Sequence, residues 1–179
     1  MGLLAAIMLA VYLANPFGTA SLDPRARLLG VALYKIPSRS MEPTLQQGDF
    51  ILANAARYAF AGPPVGDLVV FRFPPQRSIA YVKRIAGIPG DRVRIDGGRL
   101  YVNDHQVTEP YLAQQALHQP DSLRMAERTV PAGHYFMLGD NRDNSNDSRY
   151  WGYVPRADLV GRVFVVWYAE DTRRIGSVR

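Results

Sequence analysis

The sequence contains no cysteine. Disulfide bonds, thiolate nucleophiles and cysteine-based zinc sites are therefore excluded together. Long runs of charge are also missing, because the formal net charge of +5 comes from scattered arginines rather than from a basic tract. Such scatter is typical of a solvated basic surface or of one that meets an anionic membrane. We predict no nucleic-acid partner, no metal and no cofactor.

Size and composition indicate one folded domain. The chain has 179 residues, of which 47% are hydrophobic and 21% charged, so it can bury a core and is not disordered. The 15 glycines and 13 prolines favour many turns and short strands over long helices.

One long apolar stretch stands at the N-terminus, where residues 2–14 read GLLAAIMLAVYLA. A bilayer span needs about 20 such residues, and a signal peptide would need a preceding basic region. The stretch is a marginal membrane anchor, a buried core helix or the end of a longer span. We favour membrane association and assign 1–22 to the anchor and its connector. Arg25 and Arg27 follow, and by charge bias they would put the downstream side in the cytoplasm.

The remainder reads as short strands separated by turns. We predict a connector over 15–35 with a short amphipathic piece at 25–33, and a small excursion with some helix at about 104–130. The strands fall at 50–53, 67–73, 79–85, 92–95, 99–102, 135–138 and 161–168. This spacing favours a mainly β fold, with antiparallel sheets folded into a barrel-like core behind a short N-terminal apolar helix.

Two serines in the stretch PSRSMEPTLQQGDF raise the question of a nucleophile. A reactive serine needs a base, and no histidine lies near it in the sequence. Lys83 lies in the apolar strand AYVKRIAG, where burial would lower its pKa and leave a neutral amine able to accept a serine proton. A lone lysine can equally extend from a strand edge into water.

The stretch GDNRDNSNDSRYWG, residues 139–152, is a dense group of Asp, Asn, Ser and Arg. Such residues often form surface turns, and Ser145 or Asp147 would then only cap the local backbone. Alternatively, Asp147 and Arg149 belong to a hydrogen-bond network that fixes a serine hydroxyl.

Taken together, PSRSMEPTL, YVKRIAGIPGD and GDNRDNSNDSRYWGYVP resemble, in order and spacing, the sequence boxes of bacterial type I signal peptidases. The resemblance covers roughly residues 36–168. It implies that Ser40 is the nucleophile and Lys83 the general base. It implies further that the Ser38 hydroxyl and the Ser40 backbone N–H stabilise the oxyanion.

The resemblance also assigns supporting and substrate-binding residues. Ser145 would orient the lysine, and Asp147 and Arg149 would form the pair that supports the site. The shallow substrate pockets would be lined by Ile36, Met41, Leu45, Tyr81 and Val82.

The implied enzyme is a membrane-bound serine endopeptidase that removes signal peptides after small residues, at Ala-X-Ala sites. Its partners would be preprotein signal peptides and membrane phospholipids. The catalytic domain, residues 23–179, would lie on the extracytoplasmic face of the bacterial cytoplasmic membrane, against the charge bias noted above. The segments 71–75 and 150–151 are candidates for the surface that contacts the bilayer, or else for core.

Three other functions are weighed against this one. A related enzyme could be dedicated to a single secretion or conjugation substrate. A self-cleaving repressor with a Ser–Lys site needs an N-terminal DNA-binding domain, for which the residues before Ile36 leave no room. A membrane-tethered binding module would keep the β core but cleave no peptide.

Overall fold

The computed structural model describes residues 2–58, 62–112 and 117–178. Part of the predicted excursion lies outside these ranges. Within them the helices are α1 Gly2–Ala14, α2 Pro24–Leu29, α3 Pro120–Leu123 and α4 Ser148–Trp151. The strands are β1 Val31–Lys35, β2 Phe50–Asn54, β3 Leu68–Arg72, β4 Ala80–Gly87, β5 Arg92–Asp96, β6 Arg99–Val102, β7 His105–Gln106, β8 Arg124–Thr129, β9 His134–Leu138, β10 Val154–Pro155, β11 Leu159–Tyr168 and β12 Gly176–Ser177.

Two antiparallel sheets form the molecule, which confirms the prediction of a mainly β fold. The larger sheet has the order β1-β2-β11-β3-β4-β9-β10, with β12 added beside β11. The smaller has the order β7-β6-β5-β8. Register shifts interrupt the pairing of β11 with both β2 and β3, and irregularities of this kind bend and twist a sheet.

The centre of the larger sheet is buried on both faces. Along β3, Leu68 and Val70 belong to a first core cluster, which also contains Met41 and Leu45 from the loop between β1 and β2. Val69 and Phe71 alternate to a second cluster on the opposite face. β3 therefore packs against both core clusters, and its partner β4 lies between β3 and β9 in the larger sheet.

The helix α1 lies on the outside and buries none of its residues. It contacts α2, where Arg27 lies over the Tyr12 ring with its guanidinium carbon 4.9 Å from the ring centroid. The Tyr12 hydroxyl also donates to the Leu22 carbonyl at 2.9 Å. Among the described residues, no helix combines the length and apolar character that a membrane span requires.

Five strands were not predicted from the sequence: β1, β8 and the two-residue strands β7, β10 and β12. β1 occupies residues assigned to the connector, because Gly30 ends α2 with a positive φ of 72° and releases the chain into an extended conformation. β8 falls in the predicted excursion. It reads RMAERT and is mostly exposed, so it lacks the apolar alternation by which a strand is recognised.

One of the segments suggested for bilayer contact is partly core. Phe71 is fully buried. Phe73 stacks on Tyr81 with ring centroids 4.3 Å apart and meets the edge of Trp151 at 5.7 Å. Tyr150, beside Trp151, remains 56% exposed.

A buried carboxylate ties the β3–β4 hairpin to the start of β11. Asp158 is 1% exposed and accepts from Arg72 at 3.1 Å and from Arg77 at 3.0 Å. Arg72 ends β3, and Arg77 lies in the turn that leads to β4. The hairpin tip is therefore fastened to the sheet by ion pairs as well as by its backbone hydrogen bonds.

We expect Asp158→Asn to lower the free energy of unfolding by about 1–3 kcal/mol, because the substitution removes a buried acceptor that serves two arginines. Urea unfolding measures the loss. The matched control is Asp171→Asn, since Asp171 forms an exposed pair with Arg173 and its loss should leave stability unchanged. Equal losses in the two variants would contradict the structural role of Asp158.

Candidate active site

The side chains of Ser40 and Lys83 are in contact, although they come from different elements of the fold. Ser40 lies in the loop between β1 and β2, and Lys83 lies in the first half of β4. The Lys83 Nζ is 2.7 Å from the Ser40 Oγ, although the two residues are 43 apart in sequence. Both are buried, with 4% of Lys83 and 8% of Ser40 exposed. The fold thus brings together the two residues that the sequence singled out.

The strand around Lys83 explains how its amine is held. Val69 of β3 pairs with Lys83 and fixes its backbone. The amine also donates to the Val82 carbonyl at 3.0 Å and lies 5.3 Å from the centre of the Tyr81 ring. Tyr81 and Lys83 share a face of the strand, as the sequence alternation predicts.

Burial lowers the pKa of the Lys83 amine to about 8. The negative charges of Asp147 and Asp140 act in the opposite direction, because they favour the ammonium form. Desolvation is the larger effect, so a substantial fraction of the amine is neutral a little above neutral pH. A neutral amine in hydrogen-bond contact with a hydroxyl can accept its proton.

Two hydrogen-bonding groups lie next to the Ser40 Oγ. The Ser38 hydroxyl is hydrogen-bonded to the Ser40 Oγ at 3.3 Å. Among the described residues, no acceptor is bonded to the Ser40 backbone N–H, so this group can donate to a ligand beside the Ser40 oxygen.

Asp147 and Arg149 form a fully buried, two-point ion pair. The Arg149 Nε and Nη2 donate to the two Asp147 oxygens at 2.8 and 3.0 Å. Asp147 also accepts from the Gly139 backbone N–H at 3.0 Å, and Arg149 donates to the Arg142 carbonyl at 2.6 Å and to the Ser122 hydroxyl at 2.9 Å. The pair therefore links residues within the loop after β9 to one another, and it connects this loop to α3.

Ser145 is buried beside this pair, but its hydroxyl contacts neither Lys83 nor any other hydrogen-bond partner in the described ranges. It packs against Gly139, where an added Cβ would lie 2.1 Å from the Ser145 Oγ and 2.6 Å from the Ser40 carbonyl oxygen. Ser145 thus lies near the nucleophile loop, that is, the loop between β1 and β2 that carries Ser40. The hydrogen bond by which it was expected to orient the lysine is not formed in this structure.

A second buried ion pair was not predicted from the sequence. Arg84, next to Lys83, donates to both oxygens of Asp140 at 2.8 and 2.6 Å. Thr44, four residues after Ser40, also donates to Asp140 at 2.5 Å. Asp140 therefore connects β4, the nucleophile loop and the loop after β9. The adjacency of Lys83 and Arg84, and the Asp in GDN, are the only sequence signals of this connection.

A cleft of about 340 Å³ opens beside the Ser40 and Lys83 side chains. Four of the five predicted pocket residues line it, namely Ile36, Met41, Tyr81 and Val82. The fifth, Leu45, is fully buried in the first core cluster and is not in the lining. The cleft is also lined by residues that were not predicted from the sequence, namely Tyr34, Lys35, Pro37, Ile79, Ala80, Asn144 and Asn146. In the described part of the chain, no cluster of His, Asp and Glu is arranged to hold a metal ion.

The chain resembles known signal peptidases. Residues 3–168 match the family described as signal peptidase, peptidase S26. The chain is 41% identical to a signal peptidase I of Pseudomonas aeruginosa, over 75% of this chain and 63% of that protein. It is 33% identical to a signal peptidase I of Aquifex aeolicus, over 76% of this chain and 75% of that protein.

A solved structure shares the fold. The crystal structure of a signal peptidase I from Enterococcus faecalis superposes with a TM-score of 0.51 at 32% identity, covering 56% of this chain and 96% of the other. The chain spans less than two thirds of the length of the Pseudomonas relative.

The buried lysine should destabilise the fold at neutral pH. Below about pH 8 the amine is charged in both folded and unfolded chains, so the full cost of burying it is present. Between about pH 8 and 10.5 the unfolded chain binds more protons than the folded one, and stability rises with pH. We expect Lys83→Met to raise the free energy of unfolding by about 1–3 kcal/mol at pH 7, and by less as the pH approaches 10.5.

Urea unfolding at several pH values measures this gain. Lys35→Met is the matched control, because Lys35 is the only other lysine and is exposed. A gain from Lys83→Met that is absent, or that does not change with pH, would show that burial of this amine carries no such cost.

Proposed function

Because the chain belongs to the signal peptidase family, peptidase S26, we propose that it is a serine endopeptidase with Ser40 as nucleophile and Lys83 as general base. The observation that carries the proposal is the buried contact of 2.7 Å between the Lys83 amine and the Ser40 hydroxyl. The lowered pKa of the lysine supports it, since a base must be unprotonated before it acts.

The proposed reaction proceeds in two acyl-transfer steps. The neutral Lys83 amine accepts the Ser40 proton while the serine oxygen attacks the peptide carbonyl. The Ser40 backbone N–H and the Ser38 hydroxyl donate to the resulting oxyanion, and each such donor is worth about 10²–10³ in rate. The lysine ammonium then gives its proton to the departing amine. A water molecule, deprotonated by the same lysine, hydrolyses the acyl-serine ester and restores the enzyme.

The sheet supports binding of an extended peptide. β9 pairs with β4 only from Arg84 onward, so residues 80–83 carry an edge without a strand partner in the described structure. β1 is likewise an outer strand of the larger sheet. Residues of both line the cleft beside Ser40. A substrate strand can hydrogen-bond to such edges, and the edges recognise backbone rather than side chains.

Specificity would then come from shallow side-chain pockets. Ile36, Met41 and Val82 line the cleft next to Ser40, and we expect them to exclude bulky substrate residues. We propose that the enzyme cleaves after small residues, at the Ala-X-Ala sites that end signal peptides of exported preproteins.

We further propose that the protein works at a membrane surface. α1 presents an apolar and wholly exposed outer surface, and Trp167 and Tyr168 at the end of β11 are 64% and 53% exposed. Exposed aromatic side chains of this kind suit the membrane–water interface, where phospholipid headgroups meet acyl chains. With exported preproteins as substrates, the catalytic domain would lie on the extracytoplasmic face of the bacterial cytoplasmic membrane.

The function is tested with a fluorogenic peptide that carries alanine at both pocket positions before the cut. We expect the purified protein in detergent to cleave it after the second alanine. Ser40→Ala and Lys83→Ala should each lose at least about 10³-fold in kcat/KM, because each removes a partner of the proton transfer. Circular dichroism checks that both variants remain folded.

A matched peptide with leucine at both positions is the specificity control and should resist cleavage. Near-normal turnover by Lys83→Ala would refute the proton-transfer assignment. No cleavage of the alanine peptide by the wild-type protein would favour a membrane-tethered binding module instead.

The pH dependence of kcat/KM tests the lysine base separately. Since the base acts only when unprotonated, kcat/KM should rise about tenfold per pH unit below the midpoint and level off above it. The midpoint should lie near the lowered pKa of Lys83, about 8. Lys35→Met should keep the same midpoint. A profile that is flat from pH 6 to pH 10 would count against a lysine base.

A further inference from the structure

The chain segment after β11 returns to the loop that carries Ser40. β12 pairs with Val165 and Val166 of β11, and Val178 donates to the Phe164 carbonyl at 3.1 Å. Val178 also packs against the first core cluster. Residues 176–178 of this segment are therefore fastened to the sheet. The segment lies beyond residue 168, where the match to the peptidase family ends.

Arg174 reaches from this segment into the nucleophile loop. Its Nη1 donates to the Pro43 carbonyl at 3.3 Å, and its Nη2 donates to the Thr44 carbonyl at 3.2 Å and to the Asp49 carboxylate at 2.8 Å. The Arg174 side chain is 18% exposed and that of Asp49 is 4% exposed. One guanidinium thus binds both ends of the loop that links Ser40 to β2.

The same loop is held from the opposite side by the active-site network. The Thr44 hydroxyl donates to Asp140, and the Ser40 carbonyl accepts from the Asn141 backbone N–H at 3.1 Å. Within the loop, Asp49 accepts from the Gln46 backbone N–H at 2.8 Å. Arg174 therefore holds the 41–49 loop from one side, and the loop after β9 holds it from the other.

We propose that Arg174 is a positioning residue for catalysis, which fixes the 41–49 loop so that the Ser40 Oγ stays in reach of the Lys83 amine. This inference rests on the proposed function. Arg174 contacts neither Ser40 nor the cleft, so it acts through the loop. A displacement of about 1 Å at a reacting group can cost about 10²-fold in rate, so a contact that holds the loop affects kcat.

The neighbouring arginine provides a matched control. Arg173 lies in the same short turn, but its side chain is 89% exposed and pairs with Asp171 alone among the described residues. Replacing Arg173 removes the same charge from the same segment without touching the nucleophile loop.

The experiment compares Arg174→Ala with Arg173→Ala in the full chain, using the alanine peptide. We expect Arg174→Ala to lose at least about tenfold in kcat with KM changed less than twofold, and with the pH midpoint unchanged. Arg173→Ala should match the wild type. Guanidinium chloride at millimolar concentration should restore part of the kcat of Arg174→Ala and leave Arg173→Ala unaffected.

Hydrogen exchange of the 41–49 loop gives a readout that needs no activity. The Leu45 backbone N–H donates to the Met41 carbonyl at 2.9 Å, and its exchange should accelerate at least about tenfold in Arg174→Ala but not in Arg173→Ala. If the wild type cleaves no peptide, the proposed function fails, and the exchange comparison still decides whether Arg174 clamps the loop. The proposal would be overturned if Arg174→Ala left either the exchange of this N–H or kcat unchanged. It would also be overturned if the loss of kcat were accompanied by general unfolding and guanidinium did not restore it.

Discussion

The structure depends on one amine, that of Lys83, which is buried beside the Ser40 hydroxyl and whose charged form is disfavoured by this burial. Two carboxylates, Asp147 and Asp140, act on Lys83 and favour its ammonium form. Each of them is held by an arginine in a two-point ion pair, Arg149 in one case and Arg84 in the other. A positive charge paired with each carboxylate opposes that carboxylate's effect on the amine. Desolvation is the larger influence on the Lys83 pKa, so the neutral form of the amine is favoured, and the same ion pairs also organise the loops around it.

Because side chains alternate along a strand, one short segment of β4 supplies both the buried amine and the arginine that pairs with Asp140. Consecutive side chains of a strand point to opposite faces, so Lys83 faces Ser40 and Arg84 faces the loop after β9. Arg84 also donates to the Gly66 carbonyl at 2.7 Å, which ties it to the turn before β3. A shift of register by one residue would exchange Lys83 with Arg84. The antiparallel pairing of β3 with β4, which aligns Val69 with Lys83 and Leu68 with Arg84, holds the observed register.

The sequence could predict the residues whose chemistry is unusual for their surroundings. A lysine in an apolar strand and a serine between prolines stand out locally, and most strands with apolar alternation were found within one or two residues. β1 and β8 were missed because one follows a helix directly and the other is mostly polar. Arg84, Asp140 and Arg174 were missed because their roles depend on partners 40–130 residues away. Such partners are set by the sheet order, which no local pattern encodes.

At Gly139 the loop after β9 lies very close to the loop that carries Ser40. An added side chain would overlap with the Ser145 hydroxyl and with the Ser40 carbonyl oxygen, so only glycine permits this contact. The Gly139 backbone N–H donates to Asp147 while its carbonyl accepts from Arg142 at 3.1 Å. The residue is therefore anchored through both of its peptide groups. Two other hydrogen bonds join this loop to the loop that carries Ser40, from the Asn141 backbone N–H to the Ser40 carbonyl at 3.1 Å and from the Thr44 hydroxyl to Asp140. Because the two loops cannot separate without breaking these bonds, or approach without overlap at Gly139, the Ser40 backbone has little freedom to move away from the Lys83 amine.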